Sequence, residues 1–323
     1  MTNIDELFVA IREGDRAALA RAITLIESRR SDDHAMRLEL LELCHTDSTD
    51  SLRLAVTGAP GVGKSTLIEG LGLNFIENGA KVAVLAIDPS STRTGGSILG
   101  DKTRMTNLSK NESAFIRPSP SSGFLGGVAE MTRETILLCE AAGYNRILIE
   151  TVGVGQSESS VSQLTDLVLY VAISGAGDSL QGIKRGILET IHVVAVNKND
   201  GSNERASASF AADLRNSLKL LKGSGPAAEV LLTSALTGNG VHELAQTIER
   251  LCHSLKDDDS FQSRRLDQRR LWFDDAVNYL LEQRISSDPR LFELKTALKG
   301  KIESEGTNPY AAALSLVNAI LGS

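Results

Sequence analysis

The stretch Gly58-Ala59-Pro60-Gly61-Val62-Gly63-Lys64-Ser65-Thr66 constrains this chain most, because it fixes a strand, a turn and a helix together. It follows the apolar run Leu52–Thr57 and precedes the helical pattern Leu67-Ile68-Glu69-Gly70-Leu71. A G-x-x-x-x-G-K-[ST] spacing between strand and helix is that of a phosphate-binding loop. The glycines let consecutive backbone N–H groups curl around phosphate oxygens with no Cβ in the way. The helix that follows adds its positive N-terminal end. In such a loop Lys64 reaches the β- and γ-phosphates, and the Ser65 hydroxyl is a ligand for Mg²⁺. A nucleoside triphosphate is the expected ligand.

Around that loop, apolar runs alternate with helical patterns from Leu52 to about Leu255. The expected strands are Leu52–Thr57, Val82–Ile87, Arg146–Glu150, Leu167–Ile173, His192–Val196 and Glu229–Thr233. Their near-continuous apolar character suits parallel strands covered on both faces. This predicts an α/β fold, a doubly wound and mostly parallel sheet, with ligand at the carboxyl ends of the strands. Residues 1–50 read as an N-terminal helical extension, 51–256 as the nucleotide-binding domain and 257–323 as a C-terminal helical arm. Ser287-Asp288-Pro289 and Gly306-Thr307-Asn308-Pro309 break that arm into three helices, Leu266–Arg284, Arg290–Ile302 and Ala311–Leu321.

The composition excludes several classes. The longest apolar run, Leu167–Ile173, falls far short of the ~20 residues that span a bilayer. A net charge of -7 without a basic stripe argues against a nucleic-acid partner. Asp5, Glu6 and Glu13 argue against a secretory signal or transit peptide, and Cys44, Cys139 and Cys252 never fall in C-x-x-C spacing. A cytoplasmic protein is expected.

Base identity is read after a later strand. Asn197-Lys198-Asn199-Asp200 is an N-K-x-D element, in which the Asp200 carboxylate accepts from guanine N1–H and from its exocyclic amine. Adenine has no such pair of donors, and a site built on hydrogen bonds of this kind rejects the wrong partner by ~10⁴. Lys198 would lie along the nucleotide, and Asn197 would tie this turn to the phosphate loop. Ser234-Ala235-Leu236 fits a second guanine loop, where a backbone N–H meets O6. GTP is therefore preferred over ATP. For the metal, Glu150 ends the third expected strand and Asp88 follows Val82–Ile87, while Asp101 lies in the glycine- and charge-rich segment 92–104. With Ser65, these three acids are the candidate Mg²⁺ ligands. Gly153 could offer its N–H to the γ-phosphate.

Longer motifs carry a resemblance. Asp88-Pro89-Ser90-Ser91, Gly95–Met105, Arg117-Pro118-Ser119-Pro120, Glu150–Glu158, Gln181-Gly182-Ile183-Lys184 and Asn308–Ala313 resemble the methylmalonyl-CoA mutase-associated GTPases of the MeaB/ArgK type. The resemblance implies a homodimer that binds GTP and GDP and hydrolyses GTP slowly. It also implies gating of adenosylcobalamin loading onto a B12-dependent acyl-CoA mutase and protection of that enzyme, methylmalonyl-CoA mutase being the first candidate, with the cobalamin held only by that client. Asp101 then belongs to a first switch, Glu150 to a second, and Gly175–Lys184 to a third that senses the mutase. Ser179 stands where the family usually has Glu, and Asn199 where it has Ala.

Val154, not glutamine, follows Gly153, and no arginine is assigned to the transition state. Lys184, Arg93 and Arg104 are the basic candidates for that task. Three other readings remain, one of them a purely structural partner that binds nucleotide without using it. A metal-insertion GTPase would need clustered His and Cys, whereas the five histidines are scattered. An ATP-using kinase or transport-associated ATPase conflicts with the N-K-x-D element.

Overall fold

The structure, a computed structural model, describes residues 3–28, 30–44, 50–88, 105–120, 127–151, 163–175, 190–222, 227–257 and 260–322. Among these the strands are β1 (Leu52–Thr57), β2 (Val82–Asp88), β3 (Ala114–Pro120), β4 (Arg146–Thr151), β5 (Leu167–Ile173), β6 (Val193–Asn197) and β7 (Glu229–Leu232). They form one sheet in the order β3-β2-β4-β1-β5-β6-β7, and every neighbouring pair is parallel. All carboxyl ends therefore lie on one edge. β3 was not expected from sequence, because Pro118 and Pro120 break a strand pattern. Its place at the rim of the sheet is where proline is tolerated.

Alternation along the strands separates two cores. On one face, Leu54, Val56, Val84, Leu148, Leu169 and Val171 are buried with Leu67, Leu71 and Phe75 of α4 (Lys64–Glu77), Leu108 of α5 (Thr106–Lys110) and Leu244 and Ile248 of α8 (Val241–Asp257). On the other, Ala55, Leu85, Ile149, Tyr170 and Val196 meet Ile136 of α6 (Gly127–Ala141) and Leu214 of α7 (Glu204–Lys222). That second core also takes in the N-terminal helices α1 (Ile4–Arg12), α2 (Arg16–Glu27) and α3 (His34–Leu43), through Leu7, Ile11, Leu19, Ile23 and Leu40. The first two begin at Asn3 and Asp15, whose side chains accept the backbone N–H groups of the opening turn.

The chain divides into two compact units, Met1–Arg264 and Arg265–Ser323. The boundary falls inside α9 (Ser260–Ser287). In the first unit Arg264 donates to the Asp166 carbonyl at 2.6 Å. In the second, α10 (Pro289–Glu305) and α11 (Pro309–Leu321) each start with proline behind a capping side chain, Asp288 and Asn308. Proline is preorganised for that first turn and gives up an N–H that had no helical partner. The sequence breaks thus mark helix starts.

Candidate functional site

β1 runs into Gly58 and on to Gly63, which stands in front of the first turn of α4. The loop needs two unusual backbone conformations. Gly58 has φ +146, and a Cβ there would lie 2.2 Å from the Val171 carbonyl oxygen of β5. Gly63 has φ +96, and a Cβ there would meet the Asn197 amide nitrogen at 2.6 Å. Only glycine fits either position. Lys64 is buried, and its ammonium donates to the carbonyls of Gly58 at 2.9 Å and Ala59 at 3.1 Å. The cation is thus held over the loop made by Gly58, Ala59, Pro60, Gly61, Val62 and Gly63, while Thr66 is exposed on the following turn.

Sheet order brings the expected acid beside this loop. β4 neighbours β1, with Glu150 in register with Val56. The Ser65 hydroxyl donates to Glu150 Oε1 at 2.8 Å, and both residues are buried. Two oxygen groups so close, one of them a carboxylate, suit a hard divalent cation and not a soft metal. Asp88 is the last residue of β2, which flanks β4 on the other side, and of Asp88 the backbone alone is described. Asp101, Gly153 and Lys184 lie outside the described residues, as does the rest of the third-switch segment after Gly175.

The elements expected from sequence to read guanine sit on the other side of β1. β6 is two strands away, ~10 Å at ordinary strand spacing. Its last residue, Asn197, is buried and holds three loops together. Asn197 Nδ2 donates to the Val62 carbonyl at 2.8 Å, and Oδ1 accepts from the Ala235 N–H at 2.9 Å and more weakly from Thr233 Oγ1 at 3.5 Å. Next, Lys198 takes φ +60, the one non-glycine residue with positive φ among those described. That left-handed step turns the chain so that Asn199 N–H bonds to the Thr233 carbonyl at 2.9 Å and Asp200 comes beside Ser234. The Ser234 hydroxyl donates to Asp200 Oδ2 and accepts the Thr237 N–H at 3.2 Å. Leu236 is 84% exposed at the tip of the same loop.

Sequence reading named the ends of this arrangement but missed its joints. Thr233, Thr237 and the approach of the β5 backbone to Gly58 carry no motif. Only the geometry assigns them a part.

A sequence model of the family "Methylmalonyl Co-A mutase-associated GTPase MeaB" matches residues 19–290. The chain belongs to this MeaB family. A "Probable GTPase" of Mycobacterium tuberculosis is 46% identical over 316 residues, covering 97% of this chain and 94% of the relative. A mouse protein named "Methylmalonic aciduria type A homolog, mitochondrial" is 38% identical over 328 residues, 98% of this chain and 79% of its own length. The solved structure of a protein described as "LAO/AO transport system kinase" superposes with a TM-score of 0.75 at 32% identity and covers 99% of both chains. This MeaB-type chain is a P-loop GTPase, a GTP hydrolase. Among the described residues there is no group of three or more His, Cys, Asp or Glu side chains able to hold a metal, and no helix is long and apolar enough to cross a membrane.

Proposed function

We propose that this GTPase is a slow guanine-nucleotide switch that gates adenosylcobalamin loading onto a B12-dependent acyl-CoA mutase and protects that enzyme, methylmalonyl-CoA mutase being the first candidate client. The observation that carries this reading is the match to the mutase-associated family over residues 19–290. The nucleotide assignments follow from the site. Backbone N–H groups of Gly58–Thr66 would cradle the β- and γ-phosphates, with Lys64 exchanging its two loop carbonyls for phosphate oxygens. Asp200, held in place by Ser234, would read guanine, and the Ala235–Leu236 backbone would face O6. Ser65 and Glu150 would hold Mg²⁺ with Asp88 and Asp101, a set of oxygen donors that fits this ion. Bound there, Mg²⁺ would neutralise charge on the β- and γ-oxygens.

In this reading residues 1–50 serve as the helical extension, 51–256 as the G domain and 257–323 as a homodimerisation arm in a cytoplasmic protein. Large apolar side chains left exposed within Arg265–Ser323, such as Phe273 at 68% and Phe292 at 55%, support an arm that is covered by another surface. The test is GTP turnover with and without purified methylmalonyl-CoA mutase, together with co-purification of the two. The expected result is a stable complex and a mutase-dependent rise in turnover. A rate indifferent to every acyl-CoA mutase tried would refute the client assignment.

A further inference from the structure

The helices that follow the phosphate loop and the second guanine loop meet at a contact that neither motif requires. α4 carries Lys64 and Ser65 in its first turn, and α8 begins at Val241, directly after the loop Ser234–Gly240. Gly70 of α4 faces Val241, and a Cβ at Gly70 would stand 3.2 Å from Val241 Cγ1, close enough to push the helices apart. One turn along the same face of α4, Asn74 Nδ2 donates to the Gly70 carbonyl at 2.9 Å, which commits Oδ1 to accepting. Asn74 Oδ1 lies 3.0 Å from His242 Nδ1, so in the neutral ring the hydrogen sits on Nδ1. Nε2 is then an acceptor, and Gln246 Nε2 donates to it at 3.0 Å. Hydrogen bonds lead on from this clamp to the turn expected to read the base. Val241 N–H bonds to the Gly238 carbonyl at 3.2 Å, Gly238 N–H to that of Ser234 at 2.8 Å, and Ser234 N–H to that of Asn239 at 2.8 Å. Ser234 in turn holds Asp200. In the other direction, Asn74 is joined to Ser65 by ~14 Å of rigid helix.

We infer that His242 is a positioning residue that, with Gly70, sets the separation of the two halves of the nucleotide site. It clamps the phosphate-loop helix to the helix leaving the guanine loop, and touches neither phosphate nor base. A nucleotide that reaches both halves needs them at one spacing, whereas a ligand of one half does not. Asn197 ties the same loops at the edge of the sheet, and the clamp fixes the helices behind them. What the clamp requires is a donor at the place of Nδ1, not an imidazole. The inference rests on the phosphate and guanine assignments proposed above.

The test compares full-length His242→Ala and His242→Asn with the unaltered chain, in competition against a fluorescent GDP analogue. The competitors are GDP, which spans both halves, GMP, which lacks the β-phosphate, and pyrophosphate, which lacks the base. Loss of one hydrogen bond of this kind is worth ~2- to 12-fold. His242→Ala is expected to weaken GDP by about that factor and to leave GMP and pyrophosphate unchanged. His242→Asn carries an amide donor where Nδ1 stood and should recover most of the loss. Gly70→Ala, which keeps His242 and Asn74 but separates the helices, should reproduce the loss confined to GDP if it folds.

Unchanged GDP affinity in His242→Ala would overturn the inference, since Asn197 would then hold the spacing unaided. A matching loss for GMP or pyrophosphate would also overturn it, because that marks damage to one half and not to their separation. Failure of His242→Asn to recover would do so as well, as would a folded Gly70→Ala that binds GDP normally. If the unaltered chain binds GDP no better than ADP, the guanine assignment falls, and this inference falls with it.

Discussion

Replacing Asn197 by alanine removes a side chain that joins the phosphate loop to both proposed guanine-reading loops. Its amide makes one buried bond to the Val62 carbonyl and one half-buried bond from the Ala235 N–H, besides the weaker Thr233 contact. A buried group left without its partner costs ~1–3 kcal/mol, and one that water can reach costs ~0.5–1.5 kcal/mol. The total for Asn197→Ala is then about 2–4 kcal/mol. Where that cost is read depends on the variant's relaxation. If the loops keep their places without nucleotide, it appears as lost folding stability. If they spread, stability falls less and nucleotide binding must rebuild the arrangement, which weakens affinity by up to ~30- to 10³-fold. The sum of the two losses, from unfolded chain to GDP-bound protein, is fixed whichever occurs. Urea denaturation without nucleotide and titration of a fluorescent GDP analogue measure the two parts. A combined loss below about 1 kcal/mol would show that the three loops hold their positions independently, and would refute this account of Asn197.

Gly58→Ala places a methyl group 2.2 Å from the Val171 carbonyl at φ +146. It should lower stability by about 2–4 kcal/mol and abolish nucleotide binding; a folded variant that binds GDP normally would contradict the assigned loop geometry. The buried thiols predict alkaline sensitivity. Burial pushes Cys44 up to about 12 and raises Cys139 and Cys252 as well, whereas unfolded thiols ionise near ~8.5. The folded chain therefore keeps protons that the unfolded chain releases, so this contribution is complete below about pH 8.5 and lost as pH rises towards 12. Urea midpoints should fall between about pH 8.5 and 10, with a shallower fall in Cys44→Ala; identical slopes would be evidence against it.

Much of this molecule was legible because its signals were local. A strand covered on both faces writes an apolar run, and the phosphate loop writes glycines at fixed intervals, so β1 and α4 could be placed from residues alone. The Asn-Lys-Asn-Asp turn was legible for the same reason, and even its tie to the phosphate loop follows from the chemistry of an amide. β3 was hidden because Pro118 and Pro120 mimic a loop, and only its place at the end of the sheet order explains them. His242 was hidden for a different reason. On paper it is an ordinary helix-surface histidine, and its partner on α4 lies 168 residues away. Contacts of that separation leave no periodic trace.

The prolines of β3 have a wider consequence. Val82 N–H bonds to the Ser113 carbonyl, a pairing that turns the N–H groups of Phe115, Arg117 and Ser119 inward and leaves positions 118 and 120 facing out. Those outward positions are imino acids with no hydrogen to offer, so a foreign strand finds fewer donors along that margin. The opposite margin, β7, is only four residues long and gives fibril growth little to build on. Among the described residues, both margins of the sheet thus discourage strand-to-strand contact between copies of this chain.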